Sequence, residues 1–434
     1  MYSGDVPSGP PDSYLPRVLD VELDELMSGA PAIAIDGPKG VGKTATCLRR
    51  ASSVYSLDDG AQRALLEADP GRLERDPRPI LVDEWQRLPA SWDLVRRSVD
   101  ADPTPGRFLL TGSAVPIEAP VHSGAGRIVS LRMRPLTLSE RGLERPTVSL
   151  ANLLTGRRPS IDGSTTVDLS AYADEIVRSG FPAIRGTAPR ARRALLDGYL
   201  GRIVQRDFAE QGRRVRRPET LRGWLRAYAA ATATTASYQV LLEAATPGEG
   251  EKPAKTTSIV YRDVLEQLWL IEPQPAWTPT HNHLSRLGQA PKHHLADPAL
   301  AARLIGADAT ALLTGRDPGP QRLRDGDLFG RLFESLVTLG VRVFAQAAEA
   351  RVFHLRTRNG DHEVDIIVER GDGRVVALEV KLSPSVTEHD VIHLRWLGTR
   401  LGSDLLDAAV ITTGRDAYRR PDGVAVIPAA LLGA

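Results

Sequence analysis

The stretch Ala32-Ile33-Ala34-Ile35-Asp36-Gly37-Pro38-Lys39-Gly40-Val41-Gly42-Lys43-Thr44 decides the fold. Its opening run, A-I-A-I-D, is suited to a buried parallel strand. The residues that follow fit G-x-x-x-x-G-K-[ST] at every fixed position. Glycines there let backbone N–H groups wrap phosphates, and the next helix presents its positive N-terminal end to them. Ala45 to Arg50 continues as that helix, so strand, loop and helix stand in order. A plain Gly-rich turn is the rival reading, and this context disfavours it. Gly37, Pro38, Lys39, Gly40, Val41, Gly42, Lys43 and Thr44 are therefore the nucleotide-binding candidates. Lys43 is expected on the β/γ-phosphates and the Thr44 hydroxyl on Mg²⁺, which makes ATP and Mg²⁺ the expected ligands.

Downstream, Pro79-Ile80-Leu81-Val82-Asp83-Glu84 is an apolar strand ending in two carboxylates. In P-loop enzymes an acid at such a strand end holds Mg²⁺, and a neighbour orients or deprotonates the attacking water. Asp83 is assigned to the metal and Glu84 to the water. A third strand, Arg107 to Leu110, ends in Thr111-Gly112-Ser113. Thr111 and Ser113 are candidate sensors of the γ-phosphate; local turn capping is the alternative. Strands alternating with helices predict a parallel α/β sheet with its ligand at the carboxyl edge.

The bulk numbers bound the rest. A chain of 434 residues leaves room for several domains. With 42% hydrophobic and 25% charged residues, a packed core is expected rather than disorder. A net charge of +1 argues neither for nor against nucleic acid. Cys47 is the sole cysteine, which excludes an intramolecular disulfide and a cysteine zinc cluster. No apolar run reaches the roughly 18 residues of a membrane span. Met1 to Pro16 reads as a flexible leader without signal-peptide order, and a cytoplasmic protein is expected.

The series G-P-K-G-V-G-K-T, S-L-D-D (Ser56 to Asp59), V-D-E-W-Q-R-L-P (Val82 to Pro89), R-F-L-L-T-G-S (Arg107 to Ser113) and G-R-I-V-S-L-R-M-R-P-L-T-L-S-E (Gly126 to Glu140) resembles a prokaryotic family. Its members are AAA+-type P-loop ATPases fused to a C-terminal domain of unknown function with a restriction-endonuclease-like, PD-(D/E)xK, signature. S-G-F-P (Ser179 to Pro182) and Y-L…I-V-Q-R-D (Tyr199 to Asp207) match as well. The resemblance implies a charge-neutralising arginine after the sensing strand, often offered to a neighbouring subunit. Arg127 is the candidate, with Arg134 next; a plain surface arginine is the other reading of either. A homo-oligomer follows only if that finger works in trans.

From Asp174 to Ala231 the spacing predicts helices with a local basic excess: Arg202, Arg206, Arg213, Arg214, Arg216 and Arg217. A solvated helical face is the ordinary explanation, and contact with DNA or another nucleic acid the sharper one. Two helical stretches flank the loop Pro247 to Pro253. A helix from Thr256 to Leu270 and an extended piece, Ile271 to Trp277, complete a pattern consistent with a small winged-helix module. Such modules also serve as protein-interaction lids. His281, His283, His293 and His294 lack zinc-site spacing and read as exposed or hydrogen-bonded side chains. Asp297 and Pro298 read as the N-cap and first residue of a helix.

After a breaker-rich linker, Gly315 to Pro320, a helix is predicted from Leu328 to Leu339, carrying Glu334. Strands follow at Ala350 to Arg356, Glu363 to Glu369 and Val375 to Val380, the last two a hairpin around Gly371-Asp372-Gly373. Glu379 and Lys381 share one strand face, and Asp365 can join them across the hairpin. This resembles the D…E-x-K core of restriction-endonuclease-like nucleases, where carboxylates hold a divalent metal and the lysine assists. Glu334 matches that pattern's helical acid. A self-satisfying charge cluster is the competing reading.

The sequence thus predicts an α/β multidomain chain. A leader (1–16) precedes an AAA+-type P-loop NTPase domain with a parallel sheet (17–170). A helical and winged-helix-like middle (171–315) and a nuclease-like α/β domain (321–434) complete it. The expected function is Mg²⁺-dependent ATP binding and hydrolysis coupled to a nuclease-like or nucleic-acid-binding domain, with a second divalent metal there. An ATP-dependent protein-interaction switch with an inactive C-terminal domain and a DNA-binding regulator are the alternatives.

Overall fold

Strand β1 (Ala32–Asp36) buries its first four residues, as a central parallel strand covered on both faces must. β2 (Ser53–Ser56), β3 (Ile80–Asp83), β4 (Phe108–Gly112) and β5 (Ile128–Arg132) complete a five-stranded parallel sheet in the order β2-β3-β4-β1-β5. β3 and β4 are buried throughout, whereas the edge strand β5 is largely half-exposed. The helix Ala90–Ala101 lays Trp92, Val95 and Val99 into one core with Trp85 and β3. Because β4 lies between β1 and β3, the turns leaving all three strands open at the same carboxyl edge.

The computed structural model describes residues 14–113, 124–211, 213, 217–245, 255–278, 289–314, 328–357 and 360–434. They divide into two compact units, one ending at Arg134 and one beginning at Pro135. Of the predicted leader, residues 1–13 lie outside the described residues. Tyr14 is fastened, its hydroxyl 2.9 Å from Asp20 Oδ1 and 3.0 Å from Thr46 Oγ1.

The second unit begins earlier than the sequence boundary at 170. β6 (Val148–Ser149) pairs in parallel with a strand from the far end of the chain, Leu432–Gly433. The helix Leu150–Leu154 buries its leucines and packs on the helix Leu328–Ala347. Pro135 to Ser170 therefore belongs with the C-terminal residues.

β7 (Ala276–Trp277), β8 (Arg351–Arg356), β9 (Glu363–Glu369), β10 (Val375–Val380), β11 (Leu405–Thr412), β12 (Tyr418–Arg419) and β13 (Ala425–Pro428) form a seven-stranded sheet in the order β12-β13-β11-β10-β9-β8-β7. The short β14 is the Leu432–Gly433 strand beside β6. The β9–β10 hairpin forms as predicted, with Val375 opposite Glu369. β11 runs parallel to β10 after the intervening helix Ile392–Leu401.

The helical middle packs Trp224 on Tyr228 at 5.2 Å, with Phe208 and Tyr261 edge-on. Trp224 Nε1 donates to Ser258 Oγ at 2.8 Å. Helices Pro218–Ala230, Tyr238–Ala244 and Lys255–Gln267 are present, but the expected wing is not a free one. Ile271 bridges Leu295, Gln274 bridges Lys292, and β7 pairs in parallel with His354 and Leu355 of β8. Ala276 and Trp277 are apolar and buried, and Trp277 shares a core with Leu355, Val364 and Ile367 of the large sheet. The predicted loops Pro247–Pro253 and Gly315–Pro320, with Arg214, Arg216, His281 and His283, lie outside the described residues. Among the described residues, no helix is long and apolar enough to cross a membrane.

Candidate functional site

A Cβ on Gly37 would sit 2.2 Å from Met133 O, and Met133 N donates to Asp36 O at 2.7 Å. That backbone approach requires glycine at the mouth of the loop. Gly42, at φ +107°, turns the chain into the helix that starts at Lys43. Lys43 is buried, its Nζ donating to Gly37 O at 2.8 Å and Pro38 O at 3.0 Å. Burial pulls its pKa down to about 8, against the opposing pull of Glu84, Asp36 and Asp83. Burial likewise pushes the Asp36 carboxyl up to about 6, with Lys43 opposing.

The three strand ends converge. Thr44 Oγ1 donates to Asp83 Oδ1 at 2.7 Å, and Thr111 Oγ1 donates to the same oxygen. Glu84 N donates to Thr111 Oγ1 at 3.2 Å, so Thr111 ties the two acids to β4. Ser113 Oγ lies 3.4 Å from Glu84 Oε2. Glu84 itself stands in the left-handed region, φ +54° and ψ +46°. A bulky residue there costs on the order of 1–3 kcal/mol, a strain typical of functional sites. A hydroxyl and a carboxylate oxygen beside a buried lysine are a donor set that Mg²⁺ shares with phosphate oxygens, so Thr44 and Asp83 fit that ion.

Two contributors escaped the sequence reading. Gln86 Nε2 donates to Glu84 Oε2 and to Ser113 Oγ, the latter at 3.2 Å, which orients Glu84. Arg17 is buried and donates to Val41 O at 2.9 Å and Arg134 O at 2.6 Å, bracing the P-loop. Gln86 lies within the segment Val82 to Pro89, but Arg17 carries no local sequence signal.

Arg127 is displaced from the expected place. Ile128 pairs with Ala32 while Arg132 pairs with Asp36, so Arg127 precedes the opposite end of the sheet. The length of β5, roughly 13 Å at strand rise, separates it from the loop edge. It is half-exposed and paired with Asp100 at 2.8 Å. Within its own chain Arg127 does not face the nucleotide site. Arg134 follows β5 at the loop edge.

In the second unit, Glu334, Asp365, Glu379 and Lys381 come together, but around a cation the sequence reading did not name. Lys292 Nζ lies 2.9 Å from Glu334 Oε1, 2.9 Å from Asp365 Oδ1 and 3.1 Å from Glu363 Oε1. Asp365 Oδ2 accepts from Val380 N at 2.9 Å, and Lys381 Nζ donates to Glu379 Oε1 at 2.8 Å. Glu379 Oε2 is buried with no partner among the described residues, and burial pushes that carboxyl up to about 8. Burial also pushes Glu334 up to about 8, with Asp365 adding. Burial works in the same direction on Asp365, but the Lys292 ammonium overcomes it and holds the carboxyl low. A cavity of about 420 Å³ opens on this cluster, rimmed also by Arg331 and Arg356.

The three oxygens that face Lys292 do not suit the expected second divalent metal. Among the described residues, no group of three or more His, Cys, Asp or Glu side chains stands ready to hold a metal. Three acids converge here, but their facing oxygens are spent on Lys292. His293 and His294 are buried and hydrogen-bonded, to Ala236 O at 2.7 Å and to Ser335 and Gln274. Burial lowers both pKa values, which keeps the rings neutral. Asp297 caps its helix by accepting from Ala299 N at 2.9 Å.

Residues 29–141 match a family model described as AAA domain. With the parallel sheet and the P-loop, that match defines the first unit as a P-loop ATPase-like domain. Residues 169–311 and 329–432 match two models described as Domain of unknown function, DUF8612 and DUF4143. The chain is 25% identical over 417 residues to a protein of Mycobacterium bovis and to one of Mycobacterium tuberculosis, covering 94% of this chain and 82% of each relative. Both relatives are described as uncharacterized proteins. Among solved structures, a Walker-type ATPase of Pyrococcus abyssi is similar at 15% identity and a TM-score of 0.38, over 66% of this chain and 94% of that one.

Proposed function

We propose that this chain is a Mg²⁺-dependent ATP hydrolase. The observation that carries the reading is the junction of three strand ends: Thr44 and Thr111 share Asp83, and Glu84 is turned beside them by a left-handed backbone. Lys43 binds the β/γ-phosphates. Thr44 and Asp83 would hold Mg²⁺, which draws charge from the phosphate oxygens when bound. Glu84, oriented by Gln86 and Ser113, positions and deprotonates the attacking water. Thr111 and Ser113 respond to loss of the γ-phosphate. Arg134 serves the same chain as the charge-neutralising arginine, whereas Arg127 serves only as a finger offered to a second copy. The test is phosphate release with Mg²⁺ or with EDTA, for wild type and Lys43→Ala. Release that needs both Mg²⁺ and Lys43 supports the reading; equal release by Lys43→Ala overturns it.

We infer that the C-terminal domain is restriction-endonuclease-like in fold. Its helix, three antiparallel strands, helix and parallel strand support that reading. The Lys292 ammonium among its acids favours an ATP-dependent switch over metal-dependent cleavage. Plasmid DNA left intact with Mg²⁺ or Mn²⁺ supports the switch; cleavage lost in Lys381→Ala supports a nuclease. A nucleotide-dependent change in protease sensitivity of the C-terminal domain would show coupling. DNA binding through the middle rests on Arg202, Arg206, Arg213 and Arg217, and Arg206 is engaged by Glu210 at 2.9 Å. Steep salt dependence of binding is its signature.

A further inference from the structure

The carboxylate cluster of the second unit is built around a cation that the chain supplies itself. Lys292 is 1% exposed, and its three carboxylate partners match the three donors of an ammonium group. Charge burial on this scale is tolerated only with such pairing. The placement is rigid. Lys292 and Gln274 exchange backbone hydrogen bonds of 2.8 and 3.0 Å. The Gln274 amide in turn donates to Phe353 O at 2.7 Å and Asp365 O at 3.1 Å, and His294 Nε2 lies 3.1 Å from its Oε1. The ammonium is thus fixed against β8 and β9 rather than carried on a mobile side chain.

A hard divalent ion takes carboxylate oxygens at about 2.0–2.6 Å and needs several of them at once. Glu334 Oε1 and Asp365 Oδ1 already face the ammonium, so a metal at the same point would meet a positive charge within contact distance. We propose that Lys292 takes the place a divalent metal would hold, and that removing its charge turns the Glu334–Glu363–Asp365 cluster into a divalent-cation site. Lys292 lies far from the acids in sequence, and no spacing rule links it to them.

The experiment is a Mn²⁺ titration followed by electron paramagnetic resonance, on the full chain without nucleotide. Wild type, Glu363→Gln, Lys292→Met and Lys292→Met/Asp365→Asn are compared, with circular dichroism to confirm folding. Wild type and Glu363→Gln should titrate alike. Lys292→Met should gain about one bound Mn²⁺ per chain, and the added Asp365→Asn should remove it. A Mn²⁺ ion on wild type that is lost in Glu363→Gln overturns the proposal, as does a folded Lys292→Met that binds no more than wild type. If Lys292→Met fails to fold, the comparison of wild type with the half-exposed Glu363→Gln still decides. Phosphate release is not the readout, so this proposal and the ATPase reading fail independently.

Discussion

Glu175 is 3% exposed and receives Arg185 through two bonds of 2.6 and 2.9 Å and Arg141 at 3.0 Å. Burial pushes its carboxyl up, but the two arginines prevail and hold it below the ordinary 4.5. A depressed carboxylate adds stability at and above its ordinary pKa, and loses it as pH falls toward the folded value. Glu175→Gln leaves the buried Arg141 without its counter-charge, which costs about 3–5 kcal/mol. Urea denaturation should show that loss at neutral pH and a flatter acid limb in the variant than in wild type. Single residues were legible where chemistry fixes their spacing, as for Lys43, Thr44, Asp83 and Glu84. Arg17 and Lys292 were not, because their partners are brought near only by the fold.

At the scale of elements, the glycines of two turns carry the sharpest expectations. Gly37→Ala places a methyl against Met133 O, so equilibrium titration should show nucleotide affinity falling at least about tenfold, the effect of 1.4 kcal/mol. A Cβ at Gly180 would stand 2.8 Å from Leu136 O, while Ser179 Oγ and Gly180 N both donate to Asp297, at 2.5 and 2.7 Å. Gly180→Ala should therefore destabilise the second unit by about 1–3 kcal/mol in denaturant titration, the ordinary cost of overpacking. That geometry gives S-G-F-P a structural meaning the sequence did not supply. The β9–β10 hairpin was legible from two apolar runs and the Gly-Asp-Gly turn between them. The helix expected to end at Leu339 runs on to Ala347, because Val341, Phe344 and Ala345 continue its buried face past Gly340. The pairing of β7 was not legible because its partner β8 follows only after the helices Pro298–Ile305, Ala309–Thr314 and Leu328–Ala347.

At the scale of the whole molecule, alternation of strands and helices was enough to foresee the parallel sheet of the first unit. The boundary at 170 was not legible. The pairing of Val148–Ser149 with Leu432–Gly433 and the packing of Leu150–Leu154 on Leu328–Ala347 draw the residues after Arg134 into the second unit. Ligand linkage tests the first unit as a folded receptor: ATP with Mg²⁺ at about 100 times its Kd should stabilise the chain by about 2.7 kcal/mol. Lys43→Ala should abolish that shift in a thermal melt. The most direct test of the central claim is single-turnover hydrolysis at saturating ATP and Mg²⁺, with nucleotide binding measured in parallel, for wild type and Glu84→Gln. The account predicts binding retained and hydrolysis slowed by about 10²–10⁴-fold, the usual contribution of a positioned base. Hydrolysis unchanged in Glu84→Gln, or absent from wild type that binds ATP tightly, would contradict it.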